Sequence, residues 1–450
     1  MKTLRWATAA SLLGTLFTGV VTAQTISLSG LEQPASVQRT GYESDPSGYA
    51  MSDTPAPAAS PSAKPVAPAA APAEAAQAQP CAACEEPACA GDCGPYKLFQ
   101  GPWLQCHNID IRGYIDVGYT YNPDDPVNRS NGLVGYNDRS NDFMMNQLYL
   151  ITERVTQTNG CGVDIGGRVD LLYGTDHRYT RVNPGTGFDS TWNPTNLYGL
   201  SMPQMYADVA INDLIIRGGH FLAPVGYESV MPTENFFYSH THTFLYAEPT
   251  TLSGGEAIYK LDDCLSVNAG IDTGWNNWDT QNNRLSYFFG FNWKNEASQT
   301  TFAMEYFTGN NELPGIASTR NLLNTVLTQK IGPKWTYALE VNTGLETNAF
   351  GSGNTARWNS VSNYFLYEIN CCWTAGIRYE WLEDPNHFLF TGGGHINDLS
   401  VGLNWKPNKN LTVRSEIRED WAKPTAGFNT FDDFTKNNQF LWSTDVVIRF

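Results

Sequence analysis

The stretch IDIRGYIDVGYTY, residues 109–121, alternates between two kinds of side chain along its whole length. Its odd-numbered positions are Ile, Val, Tyr and one Gly, whereas its even-numbered positions include Asp110, Arg112 and Asp116. Because successive side chains of a β-strand point to opposite faces, a period of two predicts a strand with one apolar and one polar face.

The same alternation recurs to the end of the chain, for example in residues 373–381 and 399–405. It predicts sixteen strands, at residues 108–121, 143–156, 161–173, 200–211, 214–222, 254–261, 264–274, 284–294, 298–308, 319–331, 334–345, 357–369, 372–383, 395–406, 410–422 and 436–450. A tilted strand needs about 9–11 residues to cross the hydrocarbon core of a membrane, and most of these strands are long enough.

The connections between the predicted strands alternate between very short turns, such as Asn212-Asp213 and Gly332-Pro333, and much longer loops. A soluble β-sandwich has no reason to alternate in this way, whereas a membrane barrel has. Residues 108–450 are therefore expected to form an all-β, transmembrane, antiparallel up-and-down β-barrel of about 16 strands. Its short turns and both chain termini are expected to be periplasmic and its long loops extracellular. Aromatic residues at strand ends are expected to form two interfacial girdles: Tyr119, Tyr121, Trp293, Trp335, Trp381, Trp405, Trp421 and Trp442.

The first 107 residues have a different composition. Lys2 and Arg5 precede the one long apolar run of the chain, which ends in Val21-Thr22-Ala23, so residues 1–23 are expected to be a signal peptide. Residues 24–80 are expected to form a disordered Pro/Ala-rich periplasmic linker, and residues 81–107 a Cys-rich periplasmic segment. An N-terminal lipid anchor is not expected, because the first cysteine lies far beyond the apolar run.

The chain has nine cysteines, and export would place them in an oxidising compartment. Disulfides are therefore expected over metal ligation, and since nine is odd, one thiol should stay free or bridge chains. The alternative is a zinc knot in the first four cysteines, whose Cys-x2-Cys spacing is a partial match only. The disulfide candidates are Cys81, Cys84, Cys89, Cys93, Cys106, Cys161, Cys264, Cys371 and Cys372.

A net charge of −17 argues against nucleic acid as a partner, because phosphate binding requires clustered Lys and Arg. Charged residues on the polar faces of the strands suit a water-filled lumen, where they could select ions, form cross-strand pairs, or do both. The basic members are Arg112, Arg168, Arg217, Arg378, Arg414 and Arg418. The acidic members are Asp110, Asp164, Asp170, Glu340, Glu380, Glu416 and Asp420.

One crowded group, Ser239 with His240 and His242, could combine a nucleophile with a base. Adjacency in sequence does not, however, give the geometry that acyl transfer requires. These two histidines and His220 could also hold a metal, but no Cys or carboxylate stands at a defined metal-site spacing. No catalytic residue, metal site or cofactor is therefore expected, and the chain is not expected to be an enzyme.

Several short stretches carry a family resemblance: GHF at 219–221, PVGYE at 224–228, NFFYS at 235–239, GWN at 274–276 and DLSVGLNW at 398–405 with Glu416 and Asp420-Trp421. Together they resemble a family of putative β-barrel porins of bacterial outer membranes, similar to general porins, over about residues 108–450. The chain also resembles outer-membrane barrels in ending on an aromatic residue, Phe450, that the assembly machinery reads. The resemblance implies an outer-membrane porin in contact with lipid, and a homotrimer by analogy with porins.

Two classes of function are compatible with such a barrel. About 16 strands leave an aqueous opening, so passive diffusion of small hydrophilic solutes and ions is expected. The alternative is a structural or adhesion scaffold attached to the cell envelope, which would need a plug that residues 24–107 are too rich in Pro and Ala to provide. An active transporter would require about 22 strands and a compact plug domain.

The longest predicted connection, residues 223–255, joins the fifth and sixth strands. By the resemblance to sixteen-stranded porins, this is the position of the constriction loop, so the segment is expected to fold inward and narrow the channel. Glu228, Glu234 and Glu248 are then expected to face the lumen arginines and to give a weak preference for cations. The alternative is an outward-facing loop that neighbouring loops or a partner subunit bury.

Overall fold

The computed structural model describes residues 96–450 apart from 159, 193–195, 281–282, 314–315, 426 and 428, and for 310–313 and 316 it describes the backbone alone. The predicted signal peptide, the predicted linker and the cysteines Cys81, Cys84, Cys89 and Cys93 lie outside the described residues. Within the described ranges, no helix is long and apolar enough to cross a membrane.

Sixteen antiparallel strands form a closed barrel, in which each strand pairs with its neighbours in sequence and the first strand pairs with the last. The predicted up-and-down barrel is therefore confirmed. The strands are β1 (Asp110–Tyr121), β2 (Asp142–Arg154), β3 (Val163–Gly174), β4 (Gly199–Ile211), β5 (Leu214–Leu222), β6 (Thr251–Lys260), β7 (Leu265–Asp272), β8 (Ser286–Asn295), β9 (Thr300–Leu313), β10 (Ile316–Ile331), β11 (Trp335–Ala349), β12 (Asn354–Glu368), β13 (Trp373–Asp384), β14 (Gly394–Asn408), β15 (Leu411–Lys423) and β16 (Asn438–Arg449). The other elements are short: α1 (Pro102–Cys106), α2 (His177–Thr180), a 3-10 turn (Phe188–Thr191) and a π-helical turn (Thr243–Ala247).

The predicted strand ends agree with the observed ones to within four residues, except that β9 continues five residues further, to Leu313. Its pairing with β10 continues through Asn310 and Asn311. These residues no longer alternate between apolar and polar, so a prediction from alternation ends the strand too early.

The connections differ in length between the two ends of the barrel. At one end, residues 212–213 join β4 to β5 and residues 409–410 join β14 to β15, whereas at the other end residues 175–198 join β3 to β4. The N-terminal end of β1 and the C-terminal end of β16 both lie at the short-turn end, where Tyr114 pairs with Arg449. The alternation has two exceptions at the long-loop end. β9 ends at Leu313 and β10 begins at Ile316, and β11 ends at Ala349 and β12 begins at Asn354.

The strands turn apolar side chains outward and polar side chains inward. On β14, Leu399 is 41 % and Val401 43 % exposed, whereas Asp398 and Ser400 are completely buried. This arrangement is stable in a membrane, because the apolar side chains contact lipid and the polar side chains lie in the lumen.

Candidate functional site

The connection between β5 and β6, residues 223–250, lies inside the barrel and is called the lumen loop below. Inward-facing guanidinium groups of β13 and β15 donate hydrogen bonds to three of its backbone carbonyls. These bonds are 2.6–2.8 Å long and run from Arg414 to Phe237, from Arg378 to Ser239 and from Arg418 to His240.

Two carboxylates of the same wall accept hydrogen bonds from the backbone of the lumen loop. Glu416 accepts from the N–H groups of Tyr238 at 3.0 Å and Ser239 at 3.1 Å. Glu380 accepts from the N–H groups of His242 at 2.7 Å and Thr243 at 2.6 Å. A buried backbone group without a partner costs free energy, so these side chains replace the partners that a β-ladder would supply. They fix residues 237–243 against β13 and β15.

Glycines of the wall make room for the aromatic side chains of the lumen loop. A Cβ atom on Gly118 of β1 would collide with the Tyr238 side chain, and one on Gly376 of β13 would collide with the Phe236 ring. Interiors are close-packed, so a larger side chain at either position would displace the loop.

All six arginines that were predicted to face the lumen have carboxylate partners on the barrel wall. Arg378 and Arg418 are fully buried, whereas Arg112 lies at the short-turn end with its side chain 38 % exposed. Their charges are therefore balanced largely within the wall itself. The pairs are Arg112 with Asp110 and Glu153, Arg168 with Asp170, Arg217 with Asp208, Arg378 with Asp398, Arg414 with Asp445, and Arg418 with Asp420.

Three glutamates were predicted to oppose these arginines, and one of them, Glu228, contacts Arg378. Its carboxylate accepts hydrogen bonds from Arg378 and from the N–H of Thr241, both at 2.9 Å. Burial by itself would raise the pKa of Glu228, but Arg378 and His240 outweigh burial and lower the pKa to about 2. Glu228 is therefore an ionised anchor of the loop.

Glu248 has a different environment, and Glu234 is exposed. The Asn324 amide donates to Glu248 at 2.7 Å and to Glu340 at 2.8 Å, so that two carboxyl groups share one donor. Burial, followed by the charge of Glu340, raises the pKa of Glu248 well above its usual range. Glu248 therefore has a carboxyl neighbour in place of the arginine that was predicted to oppose it.

Comparison with known proteins shows the family to which this barrel belongs. The family described as Putative beta-barrel porin-2, OmpL-like matches residues 108–450. The chain belongs to this porin family. It is accordingly a porin of the bacterial outer membrane.

Three solved structures share the architecture. OmpT, an outer membrane protein of Vibrio cholerae, is 8 % identical, with a TM-score of 0.50 over 76 % of this chain and 97 % of that one. An anion-selective porin from Comamonas acidovorans is 9 % identical, with a TM-score of 0.52 over 76 % and 99 %. Pseudomonas putida OprB is 11 % identical, with a TM-score of 0.50 over 77 % and 96 %. At such identities the likeness shows the fold alone. The comparison with curated proteins finds no match.

The histidines of this porin occupy separate environments. His220 lies 2.8 Å from the Ser253 hydroxyl, His240 lies 3.2 Å from Glu228, and His242 lies 3.1 Å from Asp420. Ser239 Oγ accepts hydrogen bonds from Arg378 at 2.9 Å and Arg418 at 3.2 Å. Each of these groups thus takes part in fixing the loop or the strands.

The cysteines of the described residues lie at the short-turn end, and no two of them are joined by a disulfide bond. Cys106, Cys161 and Cys264 are exposed. The sulfurs of Cys371 and Cys372 are 4.0 Å apart, whereas a disulfide bond is about 2 Å long.

A second group of lumen residues was missed by the sequence analysis. Asn268 of β7 donates to Glu256 of β6 at 3.3 Å and to Glu305 of β9 at 3.2 Å. A signal was available, because Glu305 is the one charged residue of TFAMEYF, residues 301–307. A carboxylate at an inward position of such a strand indicates a lumen contact.

Proposed function

We propose that this porin is a passive channel for small hydrophilic solutes and ions, narrowed by the lumen loop. The observation that supports this is the position of the loop, which is bonded to β13 and β15 through residues 237–243. The start of the loop, residues 224–226, borders a cavity beside β6–β10 of about 20 Å³, which is room for one water molecule. Because the lumen loop occupies part of the opening, small hydrophilic solutes and ions are the expected cargo.

Swelling of proteoliposomes tests the size limit. We expect swelling in an isosmotic solution of urea or glycerol and none in sucrose, because the narrowed passage excludes a disaccharide. Protein-free liposomes are the control. Equal swelling rates in glycerol and sucrose would contradict the narrowing, and no swelling above the control in any solute would contradict the channel.

The scaffold function is a second candidate, and one observation favours it. Arg378, Asp398 and Arg418 are completely buried in the middle of the barrel, so side chains and the lumen loop occupy much of the lumen. A folded barrel that conducts neither ions nor small solutes would support the scaffold.

We further propose that both termini are periplasmic, and that residues 1–23 are removed as a signal peptide. Residues 24–80 would then form a linker and residues 81–107 a Cys-rich segment before the barrel at 108–450. Outer-membrane lipid would surround the barrel, Phe450 would be read by the assembly machinery, and the chain would form homotrimers. Pairing of Phe450 with Gly113, which closes the barrel at the chain end, supports the role of Phe450. Protease treatment of intact cells should cleave the long loops and spare the N-terminal segment.

The Cys-rich segment is expected to form disulfides within itself or with Cys161, Cys264, Cys371 and Cys372 after export. The exposed positions of Cys106, Cys161 and Cys264 leave them accessible to such partners. Mass spectrometry of unreduced peptides from outer-membrane protein should detect at least one cysteine-linked pair. Nine free thiols, or stoichiometric zinc, would contradict this expectation.

A further inference from the structure

A row of four amide and carboxyl side chains and one glycine crosses the wall on five consecutive strands. Asn268, Gly290, Glu305, Asn324 and Asn342, on β7 to β11, are direct cross-strand partners of one another in this order. These five residues are called the oxygen row below. A Cβ atom on Gly290 would collide with the Glu305 carboxyl group, so the glycine makes room for the carboxylate.

The oxygen row has acceptors that lack donors. Glu305 Oε1, Asn268 Oδ1 and Asn342 Oδ1 are buried and have no hydrogen-bond partner among the described residues. Glu305 is only 3 % exposed and Asn268 only 7 %. Unpartnered oxygens of this kind require an explanation, and a cation or a bound water supplies one.

The cavity beside the start of the lumen loop is lined by members of this row. Asn268, Glu305 and Asn324 border it, together with Asn292 and Gly226. Asn292 is half-buried, so the cavity reaches toward the short-turn end of the lumen. Its volume of about 20 Å³ matches one water-sized particle.

Four carboxyl groups lie around the cavity. Glu256 and Glu305 share the Asn268 amide, and Glu248 and Glu340 share the Asn324 amide. The nearest guanidinium that contacts this group is Arg217, 3.9 Å from Glu256. The other buried arginines are paired elsewhere on the wall, so their charge does not cancel that of Glu305.

We infer that the oxygen row is a binding station for a small monovalent cation, such as potassium, and that Glu305 makes the channel cation-selective. This inference rests on the proposed channel function. Amide and carboxylate oxygens replace the hydration shell of such an ion, as carbonyl oxygens do in ion filters. Among the described residues, no group of three or more His, Cys, Asp or Glu side chains could hold a metal ion. The oxygen row therefore suits an ion that passes through rather than a tightly bound metal.

The test is the reversal potential of the full-length protein in planar bilayers under a tenfold gradient of potassium chloride. We expect the wild-type protein to prefer potassium, and Glu305→Gln to lower the potassium-to-chloride permeability ratio by about threefold or more, because one lumen charge is lost. Glu296→Gln removes the same charge at an exposed periplasmic turn and should leave the ratio unchanged.

Two further outcomes separate this inference from the channel itself. If wild-type protein conducts without a preference for potassium, or if Glu305→Gln keeps its ratio, the inference is overturned and the channel stands. If wild-type protein does not conduct, both fall. Should Glu305→Gln fail to fold, Asn292→Asp adds a carboxylate at the cavity mouth and should raise the ratio, whereas an unchanged ratio would overturn the inference.

Discussion

Replacing both Glu380 and Glu416 by glutamine should raise the single-channel conductance severalfold. Each carboxylate accepts two hydrogen bonds from backbone N–H groups of the lumen loop, and charge-assisted bonds of this kind contribute about 1.5–3 kcal/mol each. A glutamine offers one acceptor and turns a competing N–H group toward the same donors. The loop should therefore leave the wall and widen the passage.

The control for this variant is Glu383→Gln at the long-loop end of β13, where the side chain is 30 % exposed. It removes a carboxylate from the same strand without touching the lumen loop. Retained heat-modifiable migration in gel electrophoresis would show that the double variant still folds. A folded double variant with wild-type conductance would contradict the proposal that the lumen loop narrows the channel.

Replacing Arg378 by methionine should destabilise the barrel by about 3–5 kcal/mol, because it leaves buried carboxylates without their cation. Arg378 is fully buried and pairs with Asp398 at 2.6 Å and Glu228 at 2.9 Å. Unfolding by guanidinium chloride in detergent measures the change. Arg112→Met at the short-turn end should cost less than about 1 kcal/mol, since exposed ion pairs contribute little.

A compensated variant separates lost charge balance from lost packing. Arg378→Met combined with Asp398→Asn and Glu228→Gln should recover much of the stability, because no buried charge is then left alone. A triple variant as unstable as Arg378→Met would indicate that the arginine stabilises the barrel through packing or neutral hydrogen bonds instead.

The strands of this barrel were predictable because lipid outside and polar groups inside impose a period of two on every strand. Leu399 and Val401 point outward and Asp398 and Ser400 inward, as the alternation requires. The same rule failed at the C-terminal end of β9, where Asn310 and Asn311 still pair with β10 although apolar and polar residues no longer alternate.

The position of the lumen loop in the sequence was also predictable, but its bonding was not. Alternation indicates that Arg414 and Glu416 point inward, but it cannot indicate that Arg414 pairs with Asp445 and also bonds to the Phe237 carbonyl. Those contacts depend on a loop path that has no periodicity. For the same reason the predicted opposition of Glu248 to an arginine differs from the observed pairing with Glu340 and Asn324.

The single-channel conductance of the purified, folded protein in planar bilayers shows whether the lumen loop narrows an open channel. We predict discrete openings of small amplitude, because the lumen loop stays bonded to β13 and β15 and narrows the lumen. Folded protein that gives no openings, or openings as large as those of the Glu380→Gln, Glu416→Gln variant, would contradict a channel narrowed by this loop.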